Sequence, residues 1–310
     1  MKREVSGLKL PKFAETQIPV ETYYDVFERV GFLGQGDELF LRAGLNPDLS
    51  SIGLFGKAVA LAPTVWDAVA TAKDGFQFCL SSAQQTVHLR RGRCKIVVDP
   101  GKGSGRGHSA NVQYMIALYT YLLRQASKSA DLDLRLTYPG AKSAHFTLFP
   151  EAVSLRSGPV GIIEFNEAVL RSSMDSGDTK RWLVSKYLVR VFKEKNLEVS
   201  ELSELVKEMQ IASLKSSNCP FSLQDAAALL DLPVRTVQAH LKKSKSSFAD
   251  VRNGVLHDRA RTALRNGLSI SETSALLGFA QRQNFSEAFS KWEGQSPSEF
   301  ASRERTSFAN

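Results

Sequence analysis

The chain has 310 residues, 43% of them hydrophobic and 23% charged, so it can build a real hydrophobic core and is long enough for two domains. Its formal net charge of +8 favours an anionic partner. Three widely spaced cysteines argue against a disulfide framework, and the longest apolar stretch, Tyr114–Leu123, is too short to span a membrane. Because Met1–Phe13 also lacks the apolar core of a signal peptide, we expect a cytoplasmic protein with no membrane partner.

The positive charge is denser towards the C-terminus. Residues 215–310 contain 13 Lys/Arg and 9 Asp/Glu, a net +4 over 96 residues, whereas the preceding 214 residues also carry a net +4. This distribution supports contact with nucleic acid in the last third of the chain.

The first part of the chain predicts a mixed α+β domain. Residues 1–14 are expected to form a flexible basic tail, and Thr64 is expected to cap a helix that starts at Pro63–Thr64. Further helices are predicted over Val20–Ala43, Asn111–Ala126 and Lys180–Lys195. Strands are predicted where short β-rich runs or apolar alternation occur: Phe76–Leu80, Thr86–Leu89, Cys94–Val98, Leu132–Leu136 and Val153–Phe165, the last broken at Gly158–Pro159.

From about residue 198 the pattern becomes entirely helical, which places a domain boundary near Asn196. We therefore expect an α+β domain over residues 15–195, followed by an all-α domain over residues 198–310.

No catalytic or metal site can be assembled from the first domain. The glycine-rich run Asp99–His108 lacks the spacing of a phosphate-binding loop and is interpreted as a connector. The five histidines have no zinc-ligand spacing, Asp131 and Asp133 fit a solvated strand face, and Ser81–Ser82 lies outside any nucleophile-elbow pattern. We predict no catalytic residues, no metal and no cofactor, and we classify the chain as a non-enzyme.

The second domain contains two helix-turn-helix patterns. In the first, Ser222 and Asp225 form a capping box, Asp231–Pro233 makes the turn with Pro233 at the first position of the next helix, and that helix runs over Val234–Lys243. A long connecting helix, Phe248–Asn266, is expected to end at Gly267.

The second pattern starts at Ser269, turns at Leu277–Phe279 and continues in a helix over Arg282–Lys291. Four aromatic side chains of this region are expected in the core: Phe279, Phe285, Phe289 and Trp292. Together with the connecting helix, the stretch from Ser247 to Phe300 resembles the AraC/XylS family of bacterial transcription regulators. The matching motifs are Leu–Gly–Phe at 277–279, Asn–Phe–Ser at 284–286, Ala288–Phe289 and Gly–Gln–Ser–Pro at 294–297.

This resemblance implies two recognition helices, Val234–Lys243 and Arg282–Lys291, in successive major grooves on one face of double-stranded DNA. Polar side chains that project from these helices would contact base edges: Arg235, Gln238, Arg282, Gln283, Asn284 and Glu287. Hydroxyl and amino groups nearby would contact phosphates: Thr236, Lys242, Lys243, Lys245 and Lys291. The family analogy also implies RNA polymerase as a partner and a role as an activator.

Some positions depart from the family pattern. Ala239 stands where a basic residue is common, Thr273–Ser274 replaces Ile–Ala, and Ala301 replaces a frequent Arg. We therefore predict that the second motif carries more of the sequence specificity than the first.

The first domain resembles the "arabinose-binding domain" type of N-terminal module in the stretches LFLRAGLNPDL, GLFGKAVALAPTVWDAV and FPEAVSLRSGPVGIIEFNEAVL. This resemblance implies sensing of a small-molecule effector or self-association as a homodimer. The candidate lining of an effector pocket is aromatic: Phe76, Phe78, Tyr114 and Tyr119.

The sequence thus predicts a nucleoid-associated, sequence-specific transcription regulator that is controlled through its first domain. Two alternatives stay open at this point. The first domain could be a small-molecule enzyme tethered to DNA, or the chain could be an architectural DNA-binding protein without an effector.

Overall fold

The computed structural model describes residues 38–49, 53–79, 84–99, 106–126, 131–195 and 202–308. These residues divide into two compact units, one extending to Trp182 and the other starting at Leu183. The predicted tail over residues 1–14 and the predicted boundary near Asn196 lie outside the described residues.

The first unit combines helices with one five-stranded sheet. Its helices are α1 (Leu39–Leu45), α2 (Gly53–Ala60), α3 (Val65–Cys79) and α4 (Arg106–Arg124), with short 3₁₀ helices at Ser143–Thr147 and Glu167–Arg171. Its strands are β1 (Gln84–Arg90), β2 (Arg93–Asp99), β3 (Leu134–Tyr138), β4 (Ala152–Ser157) and β5 (Gly161–Asn166). The strand order is β1-β2-β5-β3-β4, antiparallel except for the parallel pair β3–β4.

Buried and more exposed side chains alternate along the central strands, and the buried ones form the core of this unit. Every second residue of β2, β3 and β5 is buried, for example Ile96 in β2 and Ile163 in β5, which are paired in the sheet. Helix α4 approaches β5 closely at Gly161, where an added Cβ would lie 2.9 Å from a methyl group of Val112. The helix and the sheet face are therefore packed without room for a larger residue at this point.

Most of the predicted elements of this unit are confirmed. Thr86–Leu89 and Cys94–Val98 form the β1–β2 hairpin, whose turn residues Arg91 and Gly92 both have positive φ. The break at Gly158–Pro159 separates β4 from β5, and the Thr64 hydroxyl caps α3 by accepting from the Asp67 N–H at 3.2 Å.

The strand predicted at Phe76–Leu80 is wrong, because residues 76–79 continue α3. Val65, Ala68, Val69 and Ala72 form a buried stripe with helical spacing. Extension of that stripe by one turn reaches the buried Gly75. The helical period of 3.6 therefore overrides the local β propensity of the phenylalanines that follow.

The second unit is all-helical, so the predicted fold class of an α+β part followed by an all-α part is confirmed. Helix α5 (Thr179–Lys195) runs across the division between the units. It is followed by α6 (Leu202–Ser217), α7 (Leu223–Leu230), α8 (Val234–Lys243), α9 (Phe248–Arg265), α10 (Ile270–Leu276), α11 (Arg282–Glu293) and α12 (Pro297–Phe308). Within the described ranges, no helix combines the length and apolarity needed to cross a bilayer.

Asp133 does not belong to a solvated strand face as predicted, since it precedes β3 and its carboxylate pairs with the Arg93 guanidinium of β2. A second bond from Arg93 Nη2 to the Asp133 carbonyl, 3.0 Å long, fastens the start of β3 near the β1–β2 hairpin. The hydrogen bond from Arg93 lowers the pKa of the Asp133 carboxyl below its ordinary value of 3.8.

A carboxylate with a lowered pKa stabilises the fold above its ordinary pKa, and that contribution is lost as the pH falls. We expect Asp133→Asn to melt at a lower temperature than the unmodified chain at pH 7. The difference between the two melting temperatures should shrink as the pH approaches 3. Thermal unfolding followed by circular dichroism at pH 7, 5, 4 and 3 measures this. Asp175→Asn, which changes an exposed aspartate of the same unit that lies outside the sheet, serves as control. A difference between Asp133→Asn and the unmodified chain that is constant over the whole pH range would contradict the ion-pair assignment.

Candidate nucleic-acid interface

The first helix-turn-helix motif comprises α7, a short turn and α8. The predicted capping box at its start is present: the Ser222 hydroxyl accepts from the Asp225 N–H at 3.0 Å, and Asp225 accepts from the Ser222 N–H at 3.4 Å. Asp231 ends α7 in the left-handed conformation with φ +53°. Pro233 was predicted at the first position of α8, but the helix begins at Val234 and Pro233 is its N-cap.

Helix α8 separates an apolar face from a polar face. Val237 and Leu241, four residues apart, are fully buried, whereas Val234 and Thr236 are half-buried. The candidate base and phosphate contacts on the opposite side are exposed: Arg235, Gln238, Lys242 and Lys243, with Lys245 in the following turn. The side chains predicted to contact DNA therefore lie together on one accessible face of the helix.

The second motif has the same construction around an aromatic core. Ser269 caps α10 by accepting from the Glu272 N–H at 3.2 Å, and Gly278 forms the turn with φ +75°. Phe285 and Phe289 of α11 are completely buried against Leu277 and other core residues, and Phe279 and Trp292 pack against them. The core role predicted for these four aromatics is consistent with this packing.

Burial of those aromatics turns the polar side of α11 outward. The predicted contact residues of this helix are all exposed: Arg282, Gln283, Asn284, Glu287 and Lys291. Gln283 and Glu287 are neighbours on this surface, since the Gln283 Nε2 donates to Glu287 Oε1 at 3.2 Å. This bond orients one N–H of the Gln283 amide along the helix and leaves its oxygen free to accept from a base.

The two recognition helices differ in charge. Helix α8 and the turn after it carry four Lys/Arg side chains and no carboxylate, whereas α11 has two Lys/Arg side chains balanced by Glu287 and Glu293. A polyanion is therefore attracted more strongly by the first helix. The division in which the second motif contributes specificity and the first contributes backbone contacts stays a prediction.

The connecting helix α9 anchors the end of α11 through polar contacts that the sequence did not suggest. Its His257 Nε2 lies 2.6 Å from Glu293 Oε2, and Arg261 and Arg303 approach the same carboxylate at 3.7 and 3.9 Å. Because His257 and Glu293 are 36 residues apart and belong to no local motif, only the packing of α9 against α11 brings them together.

Arginines of the connecting helix are engaged within the domain. The guanidinium groups of Arg261 and Arg265, with that of Arg303, lie 5.6–5.7 Å from the centre of the Phe300 ring. Arg265 also forms an ion pair with Glu304 at 2.8 Å. These contacts hold α12 against α9. Because the two arginines of α9 are engaged in this way, we do not propose them as DNA contacts.

The departures Thr273 and Ser274 are both buried, as their predicted position near the core requires. The Thr273 hydroxyl has no hydrogen-bond partner among the described residues. An unsatisfied buried hydroxyl costs about 1–3 kcal/mol, so this position weakens the second motif relative to an aliphatic side chain.

The structure does not test the four effector-pocket candidates as a set, because it describes the side chains of only two of them. Phe76 and Phe78 lie on α3, with side chains outside the described part. Tyr119 is buried in the core, where its hydroxyl donates to the Gln85 side chain, and burial raises the pKa of the phenol above its ordinary value. Tyr114 is half-buried, and desolvation raises its pKa as well. An effector pocket in this unit stays a prediction.

In the part of the chain that the structure describes, no group of three or more His, Cys, Asp or Glu side chains is placed to hold a metal ion. The glycine-rich run after β2 lies outside the described residues between 100 and 105.

Comparisons with known proteins place the similarity in the second unit. A family described as "Helix-turn-helix domain" matches residues 226–303. Two uncharacterized HTH-type transcriptional regulators, from Mycobacterium bovis and Mycobacterium tuberculosis, are each 35% identical over 80 residues, which are 26% of this chain. The chain spans only 23% of the length of these curated relatives.

Two solved structures are also similar to the chain. The transcriptional regulator CdpR from Pseudomonas aeruginosa is 19% identical with a TM-score of 0.47 over 92% of both chains. A DNA-binding transcriptional dual regulator from Escherichia coli K-12 is 17% identical with a TM-score of 0.33, over 36% of this chain and 98% of that one.

The two helix-turn-helix motifs of the structure and the family match at residues 226–303 agree with each other. The second unit therefore contains a helix-turn-helix domain over these residues, and its motifs resemble those of AraC/XylS regulators.

Proposed function

We propose that the chain is a transcription regulator that binds specific sequences of double-stranded DNA with α8 and α11 in successive major grooves. One observation carries this proposal. Two apolar side chains of each helix are fully buried, Val237 and Leu241 of α8 and Phe285 and Phe289 of α11. All six candidate base-contacting side chains are exposed: Arg235, Gln238, Arg282, Gln283, Asn284 and Glu287.

The chemistry of these side chains suits base recognition. Arginine can donate two hydrogen bonds to guanine O6 and N7, glutamine or asparagine can pair with adenine N6 and N7, and glutamate can accept from cytosine N4. The amino groups of Lys242, Lys243, Lys245 and Lys291 would bind phosphates and hold the helices in register, with the Thr236 hydroxyl beside them.

The first unit supplies control in this proposal. Binding of a small-molecule effector to the α+β unit, or its association as a homodimer, would change how the helix-turn-helix domain occupies a promoter. Activation through RNA polymerase in the cytoplasm, on nucleoid DNA, is the mode that the family analogy favours. Promoter activity with and without the first unit, measured from a reporter carrying an enriched site, tests this control.

Replacement of Arg282 or Gln283 by alanine is expected to remove one base contact. The loss of affinity for the preferred sequence should be about 1–3 kcal/mol, and the preference should relax at one base position. The preferred sequence is first obtained by enriching a random duplex library with the full-length chain, and affinities are then measured by fluorescence anisotropy. Ser271→Ala, an exposed change on α10, is the control. An equal loss on the enriched duplex and on random duplexes would contradict the role in base recognition.

Replacement of Lys242 by glutamine is expected to remove one phosphate contact from the first recognition helix. The affinity should fall on every duplex, and the slope of log K against log salt should become shallower by about 0.9. Lys207→Gln changes an exposed lysine of α6 that lies outside both recognition helices and is the matched control for net charge. Identical salt slopes for Lys242→Gln and the unmodified chain would overturn the phosphate assignment.

A further inference from the structure

The turn between α6 and α7 is held rigidly by buried side chains of α6. Gln210 is fully buried and bonds twice to Phe221, donating to its carbonyl at 2.8 Å and accepting from its N–H at 3.0 Å. The Ser213 hydroxyl donates to the Cys219 carbonyl at 2.7 Å. Three hydrogen bonds therefore join the side chains of α6 to the backbone of residues 219–221, and they fix the path of the chain into the first helix-turn-helix motif.

The turn of the second motif rests directly on this segment. A Cβ added to Gly278 would lie 2.5 Å from the carbonyl oxygen of Asn218, 3.2 Å from Cδ of Pro220 and 3.3 Å from Cα of Cys219. Most of these atoms belong to the backbone and cannot move aside without shifting the turn. Glycine is required here both for this close approach and for its φ of +75°.

Side chains of helix α6 contact both motifs. Its Leu214 is completely buried in the core cluster of the second motif together with Leu277, and Ile211 packs against that cluster. The same helix holds the turn before α7 through Gln210. Two links therefore join the motifs, one through the connecting helix α9 and one through α6 and the contact at Gly278.

We infer that the contact of Gly278 with Asn218–Pro220 sets the separation and angle of the two recognition helices, and thereby the spacing of the two half-sites in DNA. This inference rests on the proposed function, in which both helices bind DNA. A helix alone can bend along its length, so α9 by itself would hold the motifs less precisely than two links do. Gly278 is a positioning residue in this scheme and does not itself contact a base.

The test compares two glycines with the same backbone strain. Gly278 and Gly294 both have φ of +75°, but an added Cβ at Gly294 meets no atom within 4 Å. Gly278→Ala therefore disturbs the contact, whereas Gly294→Ala imposes only the conformational cost. Both variants are made in the full-length chain, and circular dichroism verifies that each is folded.

The probes are the enriched duplex and versions in which one base pair is inserted or deleted between the half-sites. One base pair changes their separation by about 3.4 Å and their relative rotation by about 34°. We expect the unmodified chain and Gly294→Ala to lose at least about tenfold in affinity on each altered spacing. For Gly278→Ala we expect weaker binding at the original spacing and less than about threefold variation among the three spacings.

A spacing profile of Gly278→Ala that coincides with that of Gly294→Ala would overturn the inference. If Gly278→Ala fails to fold, Ser213→Ala is tested in its place, because it removes one hydrogen bond that holds Cys219 and leaves the glycine unchanged. A spacing profile of Ser213→Ala that equals that of the unmodified chain would overturn the inference as well. Failure of the unmodified chain to enrich any duplex would instead refute the proposed function, and this outcome is distinct from a change in spacing preference.

Discussion

Packing of the aromatic rings of α11 is the interaction on which the candidate interface depends most. Phe285 and Phe289 are completely buried, and Phe289 meets the Phe300 ring of α12 edge-on at 5.4 Å between centroids. Burial of two phenylalanines is worth several kcal/mol, far more than any exposed polar contact on this helix. Because these rings must face inward, the rotation of α11 about its axis is determined, and the side chains Arg282–Asn284 are directed outward.

The polar contacts around this core refine the geometry that the rings impose. Glu293 lies at the C-terminal end of α11. This is the negative end of the helix dipole, so a carboxylate there is electrostatically unfavourable. Arg261 and Arg303 compensate this charge, and together with the contact to His257 they tie the end of the helix to α9 and α12. The orientation of the recognition helix therefore rests on apolar burial in its middle and on ion pairs at its end.

The two motifs resemble each other in construction and differ in electrostatics. Both start with a serine-based capping box and bury the apolar face of the second helix, so the local folding rules are the same. The first recognition helix carries cations and no carboxylate, whereas the second carries as many carboxylates as cations. A division between affinity and specificity would arise from this difference without any difference in fold.

Much of the second unit could be predicted from the sequence because its signals are local. A capping serine followed by an acidic residue three positions later, a glycine after a helix, and phenylalanines four residues apart each specify structure within one or two turns. The helices of both motifs were therefore predicted nearly to the residue, and so were the outward-facing side chains. In the first unit the same reasoning placed the β1–β2 hairpin correctly, but it failed at Phe76–Leu80, where a helical stripe begun at Val65 prevailed.

For the second unit, the sequence by itself predicted which residues are helical, which side chains face outward and that the helix-turn-helix motifs resemble those of AraC/XylS regulators. Only the tertiary structure decided the contacts between distant segments: Arg93 with Asp133, His257 with Glu293, and Gly278 with Asn218–Pro220. Each of these contacts joins residues at least 36 positions apart. Local propensity and periodicity extend over only a few turns of chain, so the packing of whole elements had to be known before such pairs could be assigned.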